Sequence, residues 1–139
     1  MTDQTTTTLE GGCLCGAVRY QATAPVLRAL CHCDSCKRAT GAPCVGWIMF
    51  ERGNVTFTTG APTTFASSPG VERGFCNRCG TSLSFTAEYL PGLIDLTIGS
   101  LDEPGAAVPD LHSWTSRQLP WVQLGDDKPR HAEFPDLPG

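Results

Sequence analysis

The chain has 139 residues, a length that fits one domain with a hydrophobic core of its own. Its formal net charge is −4, and metal binding by cysteine thiolates would make it more negative. We therefore expect no nucleic-acid partner, because phosphate binding needs a basic surface. The longest apolar run, residues 44–50, is too short to cross a membrane, so we expect no membrane partner either.

Glycine and proline are abundant, charged residues are few, and no long helical period appears. This composition favours short strands joined by turns, so the predicted fold class is all-β with at most one short helical turn. Residues 1–8 form a polar, threonine-rich tail that we expect to be disordered. No linker divides the rest, so residues 9–139 are predicted to form a single domain.

Strands are predicted along most of that domain. Between Ala17 and Thr23 apolar and polar residues alternate, which indicates a half-buried strand. Asp34 is a suitable N-cap for a short helical turn through Thr40, and Gly41 would end it. The other predicted strands are residues 26–30, 44–50, 55–58, 63–66, 71–75, 82–86 and 93–98.

Seven of the eight cysteines lie in three clusters: Cys13-x-Cys15, Cys31-x-Cys33-x-x-Cys36 and Cys76-x-x-Cys79. A disulfide framework and a thioredoxin-like redox pair are two explanations. However, the N-terminal stretch lacks the basic start and apolar core of a signal peptide, so we expect a reducing, cytoplasmic location. Clustered thiols in such a compartment indicate metal binding, and zinc is the predicted cofactor.

Two of the clusters predict a closed structural zinc site. Each is followed by a glycine, Gly16 or Gly80, which lets the backbone fold back so that amides can point at sulfur. Two such turns together supply the four thiolates of a tetrahedral site. The predicted ligands are Cys13, Cys15, Cys76 and Cys79, and the metal would join distant strands.

The remaining cluster predicts an open zinc site. Cys31, Cys33 and Cys36 supply only three thiolates, which leaves a fourth position for water or substrate, as in catalytic zinc sites. Cys44 could close the site instead, although a small buried apolar residue of its strand is our preferred interpretation. His32 is flanked by two ligands, so we expect it in the surroundings of the metal or in the core.

Basic residues near the open site are candidates for substrate binding. Lys37 and Arg38 directly follow Cys36 and are either a solvated pair or anchors for an anionic substrate. Arg19 and Arg73 rank behind them.

The other notable side chains are expected to be structural. His112 and His131 have no clustered partner in the sequence. Trp47, Trp114 and Trp121 are expected in the core or in a pocket wall, because basic residues do not interleave with them as in a base-stacking surface.

Three stretches, residues 11–20, 31–43 and 75–83, resemble the glutathione-dependent formaldehyde-activating enzyme family, which is related to centromere protein V. The ending, residues 112–122 with 125–131, is similar too, so the resemblance covers nearly all of residues 9–135. It implies a zinc-stapled fold of several coiled antiparallel sheets, the β-tent type. It also implies the same division into four structural and three reactive cysteines.

The resemblance implies a carbon–sulfur lyase that adds glutathione to formaldehyde, with a small-molecule thiol and an aldehyde as partners. The thiol of glutathione would take the open zinc position, or displace one of its cysteines, and lose its proton, while Lys37 or Arg38 holds a carboxylate. Two other classes remain open. One is a carrier of glutathione or another small thiol, and the other is a structural or interaction protein with two closed zinc sites.

Overall fold

The computed structural model describes residues 7–135. Their regular elements are β1 (Thr8–Gly12), β2 (Arg19–Thr23), β3 (Leu27–Cys31), α1 (Asp34–Thr40), β4 (Val45–Glu51), β5 (Val55–Thr59), β6 (Thr63–Ser68), β7 (Val71–Phe75), β8 (Ser82–Ala87), β9 (Leu93–Thr97) and β10 (Leu111–Ser113). The all-β prediction with one short helix is confirmed. Within these residues, none of the helical segments has the length and apolar character to span a membrane.

The strands form two sheets. The smaller sheet is antiparallel, in the order β1-β2-β5. The larger sheet has the order β10-β3-β4-β9-β8-β7-β6. Its neighbours are antiparallel except at one edge, where the short β10 runs parallel to β3.

The hydrophobic core lies between the two sheets. Tyr20 and Ala22 of the smaller sheet are each 1% exposed and belong to one cluster with Ile48, Phe50 and Leu96 of the larger sheet. Burying a large apolar side chain such as that of Ile48, Phe50 or Leu96 contributes roughly 1.5–3 kcal/mol. The alternation that predicted β2 therefore directs one face of that strand into the shared core. The opposite face of the larger sheet is left to form the wall of a cavity.

Two strands were not predicted, and both depend on their partners. Thr8 begins β1, whereas residues 1–6 of the predicted tail lie outside the described residues. β1 pairs with β2, and a Cβ atom at Gly11 would collide with the Tyr20 hydroxyl, so glycine is required there. β10 has only three residues, and it forms a strand because it pairs with β3.

The single α-helix begins one residue earlier than predicted, at Asp34 itself. Cys33, rather than Asp34, is the N-cap, and its Sγ accepts a hydrogen bond from the Cys36 amide at 3.3 Å. The predicted end is confirmed: Gly41 has a φ of 72°, and its N–H donates to the carbonyl of Lys37 at 2.8 Å. This difference matters for function, because the capping atom, the Cys33 Sγ, is itself a candidate metal ligand.

Candidate metal centres and the adjoining cavity

The four cysteines predicted to form the closed site lie together. Their sulfur atoms are all within 4.8 Å of one another, with 3.6 Å between Cys13 and Cys15 and 3.8 Å between Cys15 and Cys76. Zinc–sulfur bonds of about 2.3 Å place the corners of a tetrahedron about 3.8 Å apart. A disulfide would need about 2.05 Å, and these cysteines are free. The donor set therefore fits a tetrahedral metal ion such as zinc.

The glycines after these cysteine pairs have the predicted role in the turns. Gly16 and Gly80 have φ angles of 81° and 82°, which other residues rarely adopt. Their N–H groups donate to the carbonyls of Cys13 and Cys76 at 3.2 and 2.8 Å. The amide that points at sulfur is a different one: Val18 donates to the Cys13 Sγ at 3.2 Å. Each turn is thus closed by the amide of its glycine, across three residues in the first turn and four in the second.

Thr81 supports both turns of this site. Its hydroxyl lies 3.2 Å from the Cys79 Sγ and accepts the Leu14 amide at 3.0 Å. The hydroxyl hydrogen bond is the main reason why the pKa of Cys79 is lowered to about 5. The side chain therefore favours the thiolate that a metal requires and also links two segments that are distant in sequence.

The second cluster is built from local sequence. Cys31 ends β3, Cys33 caps α1, and Cys36 lies in its first turn, so three sulfurs come within 4.8 Å of one another. Hydrogen bonds from Cys31 and Cys36 lower the pKa of Cys33 to about 2. The pKa of Cys31 is raised by its contacts with Cys33 and Cys36. Three thiolates this close cannot all ionise without a cation among them. The donor set fits a metal that prefers sulfur.

Cys44 and His32 both lie outside this ligand group. Cys44 precedes β4, is half-buried, and belongs to neither cysteine cluster, so it does not close the site. It is also not the fully buried strand residue that we expected. His32 is fully buried, and its Nε2 lies 3.2 Å from Nδ1 of His112. The expectation that His32 is not a ligand agrees with this contact.

His112 has partners that the sequence did not reveal. Asp126 accepts from its Nε2 at 3.0 Å, which leaves Nδ1 to accept from Nε2–H of His32. Burial lowers the pKa of His32, so this histidine is neutral. The hydrogen bonds that link Asp126 to His32 through His112 hold the backbone between Cys31 and Cys33 in place. His131 contributes backbone hydrogen bonds to the same region, including its N–H to the His112 carbonyl at 2.9 Å.

A cavity of about 550 Å³ opens beside the three-cysteine cluster. Cys31, Cys33 and Cys36 line it, together with the apolar side chains of Trp47 and Phe85 from the larger sheet. The sulfur cluster therefore faces a space large enough for a small organic molecule.

The tryptophan expectation is confirmed for two of its three residues. Trp47 is buried and lines the cavity, and Trp114 is half-buried in the same wall. Trp121 is 68% exposed, so its expected place in the core or a pocket wall is wrong.

Arg73 is in contact with one of the clustered sulfurs. Its Nη1 and Nη2 atoms each lie 3.6 Å from the Cys36 Sγ, and its guanidinium lies 4.9 Å from the centre of the Phe85 ring. Stacking on Phe85 and the two contacts with Cys36 hold the guanidinium of Arg73 at the cavity wall. The sequence ranked Arg73 behind Lys37 and Arg38, because only contacts across the sheet bring it here.

Two of the other basic candidates, Lys37 and Arg19, have partners within the protein. Lys37 donates to the carbonyl of Arg117 and lies 3.3 Å from the Asp34 carboxylate. Arg38 is exposed, and neither it nor Lys37 is among the described residues that line the cavity. Arg19 forms an ion pair with Asp102 at 2.6 Å.

Arg117 is a residue of the cavity wall that was not predicted from the sequence. Arg117 lines the cavity and pairs with Asp34, 83 positions away, at 2.8 Å from its Nε. The hydrogen bond from Arg117 holds the pKa of the Asp34 carboxyl below its usual value. No local pattern could have revealed a pair so distant in sequence.

Comparisons with known proteins identify the family of this chain. Residues 8–117 match the model of the family described as glutathione-dependent formaldehyde-activating enzyme. An "Uncharacterized lyase" of Schizosaccharomyces pombe is 35% identical over 78 residues, which are 55% of this chain and 56% of the relative's length. A Halomonas elongata protein named "Putative glutathione-dependent formaldehyde-activating enzyme" is 27% identical over 127 residues, covering 84% of this chain and 80% of that protein.

A crystal structure of a Rhodobacter sphaeroides protein shares the fold. Its TM-score is 0.56 at 20% identity, and the match covers 67% of this chain and 87% of that one. At this identity the similarity supports the all-β fold and nothing about the reaction.

Proposed function

Because the chain belongs to the glutathione-dependent formaldehyde-activating enzyme family, we propose that it is a carbon–sulfur lyase that joins glutathione, or a related small thiol, to formaldehyde. The product would be S-hydroxymethylglutathione. We assign zinc to both cysteine sites and place the protein in the cytoplasm, where thiols stay reduced. The observation that carries the proposal is a cluster of three cysteines, rather than four, that lines a cavity of about 550 Å³.

A zinc ion held by Cys31, Cys33 and Cys36 would lower the pKa of a substrate thiol at its fourth position and keep it as thiolate. A free thiol is only a few per cent ionised near neutral pH, and the thiolate is the nucleophile. The protein itself would orient the substrate thiol and provide an apolar cavity wall. Trp47 and Phe85 exclude water from one side of the cavity.

Anchoring of the substrate belongs to the basic groups. Arg73 lies at the cavity wall with its guanidinium against the Cys36 Sγ, and a guanidinium is well suited to pair with a carboxylate such as those of glutathione. Arg117 lies at the same wall, although Asp34 already occupies it. Lys37 and Arg38 remain the anchors predicted from the sequence, and for Lys37 the role would require release of its contacts with Arg117 and Asp34. Arg73 is the anchor that we favour.

The proposal is tested with the zinc-loaded protein. Calorimetric titration measures glutathione binding, and exchange NMR measures how fast glutathione and formaldehyde interconvert with their adduct. We expect binding, and an interconversion rate well above the uncatalysed one. Cys36→Ser should abolish the acceleration, whereas Cys44→Ser, a cysteine outside both clusters, should retain it.

The outcomes separate three functions. Binding without acceleration would replace the enzyme by a carrier of small thiols. No binding at all would leave a structural or interaction protein with two metal sites.

A further inference from the structure

Asp95 is a carboxyl group in the wall of the cavity. It lies in the middle of β9, paired with Met49 of β4 and Phe85 of β8, and it is only 9% exposed. The cavity that Asp95 lines is the one that the three-cysteine cluster faces. A carboxyl at a central strand position therefore reaches the same space as the clustered sulfurs.

The fold does not explain this carboxyl. Among residues 7–135, none of the hydrogen bonds or ion pairs that we find involves it, and burial is the only influence on its pKa. Taking a carboxyl out of water without a partner is unfavourable, and buried structural aspartates are normally hydrogen-bonded. A group that costs stability and faces a cavity is a candidate for chemistry in that cavity.

The surroundings keep the carboxyl protonated up to neutral pH. Burial raises the pKa of Asp95 to about 7. β4 and β8 present Trp47, Met49 and Phe85 beside it, and none of these titrates. The titratable or charged groups that share the cavity are Arg73, Tyr89, Arg117 with Asp34, and the thiols of Cys31, Cys33 and Cys36.

None of those groups can exchange a proton as Asp95 can. Arginines stay protonated. The pKa of Tyr89 is raised above its ordinary value, mainly by burial, so its hydroxyl does not ionise near neutral pH. Thiolates that hold a divalent metal are unprotonated, and a metal with three of them carries a net negative charge, which does not favour ionisation of a neighbouring carboxyl.

The proposed reaction needs a proton carrier. When a thiol adds to an aldehyde, the sulfur must lose its proton, and the carbonyl oxygen must gain one. A group with a pKa near the working pH can do both in turn.

We propose that Asp95 carries this proton. Its carboxylate accepts the proton of the incoming thiol; the sulfur lone pair then forms the S–C bond while the carbonyl π pair moves to oxygen. The carboxyl returns the proton to that oxygen, which gives the hydroxymethyl product and regenerates the carboxylate. Thiol and aldehyde are the only reactants, and no electron or further reactant is needed. This inference rests on the proposed function.

The test compares Asp95→Asn with wild type, and Glu72→Gln serves as control because it removes an exposed carboxylate from β7 of the same sheet. We expect Asp95→Asn to bind zinc and glutathione as wild type does and to lose about 100-fold in kcat. In wild type, the catalysed part of kcat/KM should fall below about pH 7, because a protonated Asp95 cannot accept the thiol proton. That decline should be absent from Asp95→Asn and unchanged in Glu72→Gln.

A second measurement does not use activity. The folded pKa of Asp95 lies above the value of about 3.9 expected in the unfolded chain, so the wild type loses stability as pH rises between the two values. The Tm of Asp95→Asn relative to wild type should therefore rise between about pH 5 and about pH 8. A constant difference would show that the carboxyl does not titrate there and would overturn the proposal.

The kinetic outcomes separate the two proposals. If wild type accelerates adduct formation and Asp95→Asn retains its kcat, the proton-carrier role is wrong and the proposed function stands. A raised KM with unchanged kcat would instead make Asp95 a binding group and overturn the role as well. If wild type shows no acceleration, the proposed function fails, and the proton transfer fails with it.

Discussion

The two cysteine sites use the same ligand and differ in how the chain supplies it. The closed site joins turns whose cysteines are 61 residues apart. The open site takes all its sulfurs from Cys31 to Cys36, a single local segment. One metal would therefore hold distant parts of the fold together, whereas the other would hold only a strand end and the start of α1. We expect this difference in connectivity, rather than ligand chemistry, to separate the proposed structural centre from the proposed reactive one.

The two sites also differ in their surroundings: hydrogen-bonding groups of the protein contact the four-cysteine site, whereas a cavity adjoins the three-cysteine site. Val18 and Thr81 contact the sulfurs of the closed site, which are thereby satisfied from within the protein. The open site faces a cavity and has Arg73 beside Cys36. Hydrogen bonds to sulfur favour retention of the metal, while a cavity with a fixed cation favours exchange with a ligand from solution.

The largest expected effect is on folding. Cys76→Ser removes a ligand that is 1% exposed and belongs to the site that joins distant turns, so the domain should fail to fold. Structural zinc sites contribute about 10–16 kcal/mol in small peptides, which exceeds the stability of a typical domain. Cys36→Ser should stay folded and lose about 2 kcal/mol or less. Circular dichroism during thermal unfolding measures both, and equal losses would contradict the comparison.

The next effect concerns metal release. Under a competing chelator, we expect two zinc ions per chain to leave in separate phases, the first from Cys31, Cys33 and Cys36. A three-thiolate site exposes a coordination position that a chelator can use, and a closed tetrahedron does not. A metal-sensitive dye records the phases. Cys36→Ser should remove the fast phase alone; loss of the slow phase instead would reverse the assignment.

Ligand binding should distinguish the sites through their arginines. Arg73→Gln should weaken glutathione binding about tenfold, because it removes the positive charge at the cavity wall that we propose to pair with a carboxylate of the substrate. Arg78→Gln is the matched control, since Arg78 is exposed and lies between two cysteines of the closed site. Calorimetry should give unchanged affinity for the control. Equal affinity of both variants would assign the anchor elsewhere, with Lys37 and Arg38 next to be tested.

The smallest effect belongs to the support of the closed site. Thr81→Val removes the hydroxyl that contacts Cys79 and accepts the Leu14 amide, and should cost about 1–2 kcal/mol. Thr56→Val, at an exposed position of β5, should change stability by less than about 0.5 kcal/mol. Denaturant unfolding measures both. Glutathione affinity should stay the same in each, because neither position borders the cavity.

Local patterns predicted the parts of the fold that local physics determines. Alternation predicted β2, and Gly41 predicted the end of α1. Cysteine spacing predicted both ligand groups, because a metal needs its ligands in short turns. β1 and β10 were missed because their hydrogen-bonding partners, rather than their own residues, make them strands.

The surroundings of the sites could not be predicted, because they depend on distant pairs. His112 lies 80 positions from His32, and Arg73 lies 37 from Cys36. Asp95 did leave a signal: it is a lone carboxylate within the otherwise apolar strand prediction for residues 93–98. An ionisable residue in the middle of a predicted strand indicates a polar cavity or a functional site, and we predicted neither at Asp95.

The end of the described chain forms part of the cavity wall. Residues 129–133 run beside β10, with hydrogen bonds that include His112 N–H to the Pro129 carbonyl at 2.9 Å, and Phe134 then lines the cavity. The family match stops at residue 117, so this piece of wall lies beyond it. Substitutions at Phe134 would therefore change the shape of the cavity while both cysteine groups keep their residues.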